Sequence, residues 1–301
     1  MPYNFFSLAI LTAVGGLVTL EDLKTKKIKN KWLALGLLSG LILDSAFLIF
    51  VGLDPVYLGL VSLNFFSALA VGFLLWSLGS WPAGDAKLFA LYVFLLPLHY
   101  YYKNYLPIFP GFALLLNIFI PFLTFLFLKS LFFLFLKIPY FLREKEKFHL
   151  FKNFSWSDFL KKTLLFVVLF NVLSVLILKS SFSWKNFLIY FFLFWSVEKI
   201  ISLYLNIYSK EEIAIARLSA RENLSEEIKN EPELLDSLGA LGAEGLEEEQ
   251  VEKIKKFFAQ KGRDTIHVYR SLPFSLWIGL GVLLTVILKG NLMQYIQALL
   301  R

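Results

Sequence analysis

Thr19-Leu20-Glu21-Asp22-Leu23-Lys24-Thr25-Lys26-Lys27-Ile28-Lys29-Asn30-Lys31 joins two long apolar runs, residues 3–20 and 32–52, and its reading decides the fold. A membrane-crossing helix needs about 20 mostly apolar residues, and each flanking run supplies that length. The joining stretch carries Lys24, Lys26, Lys27, Lys29 and Lys31. Lysines concentrated between two spans mark a loop on the cytoplasmic side. The run before it has no basic stretch ahead of it and ends in Thr19-Leu20-Glu21-Asp22 rather than in the small residues of a cleavage site. It is therefore expected to be a retained helix and not a signal peptide.

The same pattern continues outward. Hydrophobic residues make up 57% of the 301 positions and the mean hydropathy is +0.65, well above the range of soluble chains of this length. Eight candidate spans follow, 3–20, 32–52, 56–79, 86–98, 111–136, 163–182, 186–206 and 272–289, of which the fourth is short for a full crossing. The expected class is an all-α polytopic membrane protein.

A second basic segment, 137–162, carries Lys137, Arg143, Lys145, Lys147, Lys152, Lys161 and Lys162, whereas 53–55 has no basic residue and 99–110 only Lys103. The charge asymmetry puts the N-terminus outside and 22–31, 80–85, 137–162 and 207–270 in the cytoplasm. The expected organisation is a membrane helical domain over 1–206, a cytoplasmic helical insertion over 207–270, and a final membrane helix and tail over 271–301. Within the insertion, the Glu-rich stretch from Ser209 to Ile266 is broken at Gly239, Gly242 and Gly245. It reads as two helices, Glu211 to Asn230 and Leu246 to Gln260, with a solvated charged linker as the alternative.

Several classes are excluded or disfavoured. The chain contains no cysteine, which removes disulfides, thiol catalysis and thiolate metal sites. His99, His149 and His267 fall in three separate polar segments, so neither a histidine metal centre nor another cofactor is expected. The net charge of +7 is explained by loops flanking a lipid bilayer, and no nucleic-acid partner is expected.

Carboxylates near a bilayer are costly, about 2.5–3.5 kcal/mol for Asp at a helix centre, so each requires a reason. Asp44, inside the second span, is expected to make a buried polar contact or to mark a shifted span boundary. Asp54 in Leu53-Asp54-Pro55 serves a turn, and Glu198 beside Lys199 is an ordinary membrane-flanking residue. Asp22 and Asp85 differ in context. Asp22 closes the first apolar run, and Asp85 lies in Gly79-Ser80-Trp81-Pro82-Ala83-Gly84-Asp85-Ala86-Lys87-Leu88, where Pro and Gly interrupt one helix and another opens at the acid. Gly84 allows close backbone approach. From these residues alone, Asp85 is either a helix cap or a functional acid, and Asp22 either a surface acid or its partner.

Asp22 followed by Lys27-Ile28-Lys29-Asn30-Lys31-Trp32 resembles the prepilin and preflagellin peptidase pattern, an Asp at the end of the first core helix followed by Ile-Pro-Asn. Ala83-Gly84-Asp85-Ala86-Lys87-Leu88 resembles the second motif of that family, Gly-x-Gly-Asp-x-Lys-Leu. Arg263-Asp264-Thr265-Ile266-His267-Val268, then Leu272-Pro273-Phe274 and Ile278-Gly279-Leu280, is similar to the end of archaeal-type members, where a cytoplasmic segment leads into the last helix. Pro82 stands where the second motif has its first Gly, and Lys29 where the first has Pro.

The resemblance implies a six-helix peptidase core and an intramembrane aspartyl endopeptidase, with Asp22 and Asp85 catalytic and Gly84 and Lys87 supporting. It also implies a precursor carrying a short basic leader and a hydrophobic helix, cut at the cytoplasmic boundary of the cytoplasmic (inner) membrane. The paired cysteines that accompany methyl transfer in bacterial members are missing, so proteolysis without methylation is expected. Two other readings stay open: a catalytically inactive homologue acting in membrane assembly, and a proton-coupled transporter. Presenilin-like proteases share the Gly-x-Gly-Asp loop, but the Pro-Ala-Leu expected near their C-terminus is missing.

Overall fold

The computed structural model describes residues 2–77, 81–102, 106–143, 195–197, 199–201, 210–220, 222–224, 231–239, 245–269 and 273–299. The expected span 163–182, most of 186–206, His149, Glu198 and the basic residues from Lys145 to Lys162 lie outside them. The chain divides into two compact units, Met1–Pro121 with Glu211–Arg301, and Phe122–Lys210. Of the second unit, the described part is the continuation of one long helix, the helical residues 195–197 and 199–201, and Lys210.

The first unit begins with α1 (Pro2–Thr25), α2 (Asn30–Val51), α3 (Pro55–Ser77) and α4 (Ala83–Leu95), followed by a 3-10 turn at Leu98–Tyr101 and α5 (Phe112–Arg143). α1, α2, α3 and the Phe112–Phe133 part of α5 are long and apolar enough to cross a membrane. Their outward residues, among them Phe5, Ile42, Phe50, Phe66 and Phe73, remain exposed. Large apolar side chains on the outside of a helical protein mark surface meant for lipid.

α1 extends further than the apolar run suggested, so Asp22 lies within the helix rather than at the start of the loop. Lys26 adopts φ 51°, and its N–H donates to the Asp22 carbonyl at 2.8 Å, ending the helix in a left-handed residue. α3 starts at Pro55 after Asp54, whose side chain accepts from the Val56 N–H at 2.9 Å. This is the turn role expected of Asp54.

α4 has 13 residues and spans about 20 Å, too short for a bilayer core of about 30 Å. Asp85, Ala86 and every residue from Leu88 to Leu95 are buried. It packs against α1, α2 and α3, and against α8 (Ser275–Leu288). A helix apolar on all sides is an interior element, so the short fourth candidate span is the centre of the bundle. Close approach depends on a small residue at Gly72 of α3, where an added Cβ would sit 3.0 Å from the Ala86 carbonyl oxygen.

Buried polar side chains bind the opposite end of the bundle. Tyr3 donates to Asp44 at 2.8 Å, the polar contact expected of that residue. Asn117 on α5 donates to Thr285 Oγ1 and to the Gly290 carbonyl at 2.8 Å. It also accepts from the Leu292 N–H at 2.7 Å, at the start of α9 (Leu292–Leu299).

The insertion differs from its expected form. Where one helix was anticipated from Glu211 to Asn230, the chain forms β1 (Lys210–Ala214), a 3-10 turn (Ile215–Arg217) and β2 (Asn223–Leu224). With β3 (Thr265–Tyr269) they make a sheet of order β1-β3-β2, β2 antiparallel to β3 with Leu224 opposite Val268. The Glu-rich composition favours helix, but β1 pairs with β3, and Ile213 and Ile215 pack with the apolar core of the insertion, so tertiary pairing overrides propensity. The second expected helix forms as α7 (Glu248–Gln260), preceded by α6 (Pro232–Leu238). A reciprocal capping box between Glu247 and Gln250 starts α7. Ile215, Leu234, Ile254, Phe258 and Ile266 are among the residues of a separate apolar core here, which a solvated linker would not have.

Candidate functional site

The site forms where the last turn of α1, the first turn of α4 and the first residue of α8 meet. Asp22 is 7% exposed and Asp85 5% exposed, and they are close enough for the charge of Asp22 to act on Asp85.

Local structure explains each position. Pro82, with extended angles of φ −63° and ψ 150°, is the residue before α4. Its carbonyl accepts from the N–H groups of Asp85 at 3.1 Å and Ala86 at 3.2 Å. The proline in place of the expected glycine therefore starts the helix without distorting it, because its missing N–H is not needed there. Trp81 anchors this corner by stacking on Phe119 with centroids 5.3 Å apart, and it also meets Phe89 and Phe274. Asp85 lies in the first turn of α4.

The two sequence motifs touch each other. Gly84 faces Ile28 so closely that an added Cβ would be 3.1 Å from the Ile28 Cβ. Lys87 Nζ donates to Asn30 Oδ1 at 3.3 Å. Lys29, the residue in place of the expected proline, forms an ion pair with Glu21. It ties the loop to the helix turn that carries Asp22.

Ser275 is the residue that sequence reasoning missed. Its hydroxyl donates to Asp22 Oδ2 at 2.6 Å, and its N–H lies 3.4 Å from the same oxygen. The available signal was Leu272-Pro273-Phe274-Ser275, a hydroxyl where an apolar helix begins, on the side already assigned to both acids. Asp44 and Asp54 stand apart from this site, in the contacts described above. His99 packs on Tyr100 and His267 lies in β3. Among the described residues no three His, Asp or Glu side chains cluster to hold a metal ion.

Chemically, the arrangement offers two buried carboxylates at one end of an apolar bundle, with a neutral hydroxyl donor fixed on one of them. Comparisons with models of protein families, with curated proteins and with solved structures find no match to this chain.

Proposed function

We propose that the protein is an intramembrane aspartyl endopeptidase that removes a short basic leader from a type IV pilin-like or archaellin-like precursor. The observation that carries this reading is the burial of Asp22 and Asp85 within electrostatic reach of each other. The abutting Ile28–Asn30 and Gly84–Lys87 segments support it.

In this reading the pair shares one proton. The Ser275 hydroxyl donates to Asp22 and fixes that carboxylate in place. Asp22 acts as the base that takes a proton from the attacking water. Asp85 holds the shared proton, donates it as a hydrogen bond to the scissile carbonyl, and the pair then returns a proton to the leaving amine. The lysine loop lies at the same end as both acids, which supports a cut at the cytoplasmic boundary, where a leader meets its hydrophobic helix.

The test is co-expression with such a precursor and measurement of leader removal in membranes. Asp22→Asn and Asp85→Asn, each at normal abundance, are expected to lower the rate by about 10²–10⁴-fold, the span of general acid–base contributions. A wild-type protein that leaves every such precursor uncut, or either variant cutting at full rate, would overturn the assignment.

A further inference from the structure

We propose that Lys87 is the headgroup contact of a binding site for a two-chain anionic phospholipid, a site that does not depend on the peptidase reading. Two apolar grooves meet at this side chain. One, about 320 Å³, runs among α2, α3 and α4 and is walled by Leu33, Leu37, Phe65 and Leu91. The other, about 620 Å³, follows α3 and is walled by Phe66, Phe73, Trp76 and Ala86. Leu69 and Lys87 line both, so they form the divide between them.

Charge and shape together select the occupant. Among the described residues Lys87 is the one cation lining either groove, and it lies exposed at the end of the bundle that carries the lysine loop. Its ammonium has three donors, of which Asn30 Oδ1 takes one, leaving two for phosphate oxygens. A lipid with one anionic headgroup and two chains fits this plan, with phosphate on Lys87 and one chain in each groove. A transmembrane helix, about 10 Å across, would straddle Leu69 instead of filling either groove. The lysine loop supplies a wider positive field that concentrates anionic lipid at this end.

The experiment is native mass spectrometry of the full chain purified in detergent and offered equal amounts of phosphatidylglycerol and phosphatidylcholine with identical chains. The expected result is retention of one phosphatidylglycerol in preference to phosphatidylcholine by about fivefold, the contribution of one lysine at an anionic surface. Lys87→Gln removes the preference and Lys87→Arg keeps it. Leu69→Trp, which obstructs both grooves, lowers retention of either lipid. Exchanging Lys24, Lys26 and Lys27 for Gln leaves the tightly held molecule in place. Equal retention of the two lipids by the wild type, or a preference that survives in Lys87→Gln, would overturn the proposal. So would displacement of the held lipid by a synthetic apolar helix, which would assign the grooves to a protein segment.

Discussion

Ser275 concentrates the chemistry of the candidate site in one hydroxyl. It is fully buried, and hydrogen bonds to charged groups contribute about 1.5–3 kcal/mol. Ser275→Ala is therefore expected to lower kcat/KM for leader removal by about 10–100-fold, chiefly in kcat, whereas Ser275→Thr keeps the donor and most of the rate. Steady-state kinetics on a reconstituted precursor checks this; a fall in KM-dependent binding with kcat intact would make Ser275 a packing residue only. Asp22, Asp85, Gly84 and Lys87 are adjacent to motif features and were legible as a set. Ser275 is 253 residues from Asp22 along the chain, and nothing local distinguishes it from any hydroxyl that begins a helix. The same applies to Lys29, whose role depends on an ion pair with Glu21 that only folding creates.

Elements succeed or fail in this protein by how closely they approach one another. At Gly72 the neighbour is the Ala86 backbone, which has no rotamer by which to yield. Gly72→Val is expected to separate α3 from α4, lower stability by about 1–3 kcal/mol, and displace Asp85, the residue before Ala86. Gly59→Ala in the same helix meets nothing within 4 Å and is expected to leave the unfolding midpoint unchanged or slightly raised. Thermal unfolding in detergent compares the two. Asn117 is the corresponding polar joint at the other end of the bundle, with three hydrogen bonds to the α8–α9 region. At about 0.6 kcal/mol per bond within a membrane, Asn117→Leu is expected to cost roughly 2 kcal/mol. Long apolar helices were legible because span length follows from bilayer thickness. The strands of the insertion were not, because Lys210–Ala214 becomes a strand only when β3, about fifty residues onward, offers an edge.

At the scale of the whole molecule, loop charge is what the sequence offers about orientation. The chain has no cysteine, so single cysteines report exposure without background. Lys27→Cys and Lys253→Cys are expected to react with a membrane-impermeant maleimide only after intact cells are opened. Tyr102→Cys, at a position 84% exposed, is expected to react from outside. External labelling at Lys27 would reverse the orientation and move both acids to the other surface. The burial of α4 has a further consequence, for biogenesis. Its 13 residues fall about 10 Å short of the hydrocarbon thickness, and its second residue after Gly84 faces α3 across Gly72. Alone in lipid it would be mismatched and would carry Asp85 uncovered. A chain cut after α4 but before α8 is therefore expected to leave Asp22 without its Ser275 partner, and stable insertion of the fourth helix is expected to depend on the three helices that precede it.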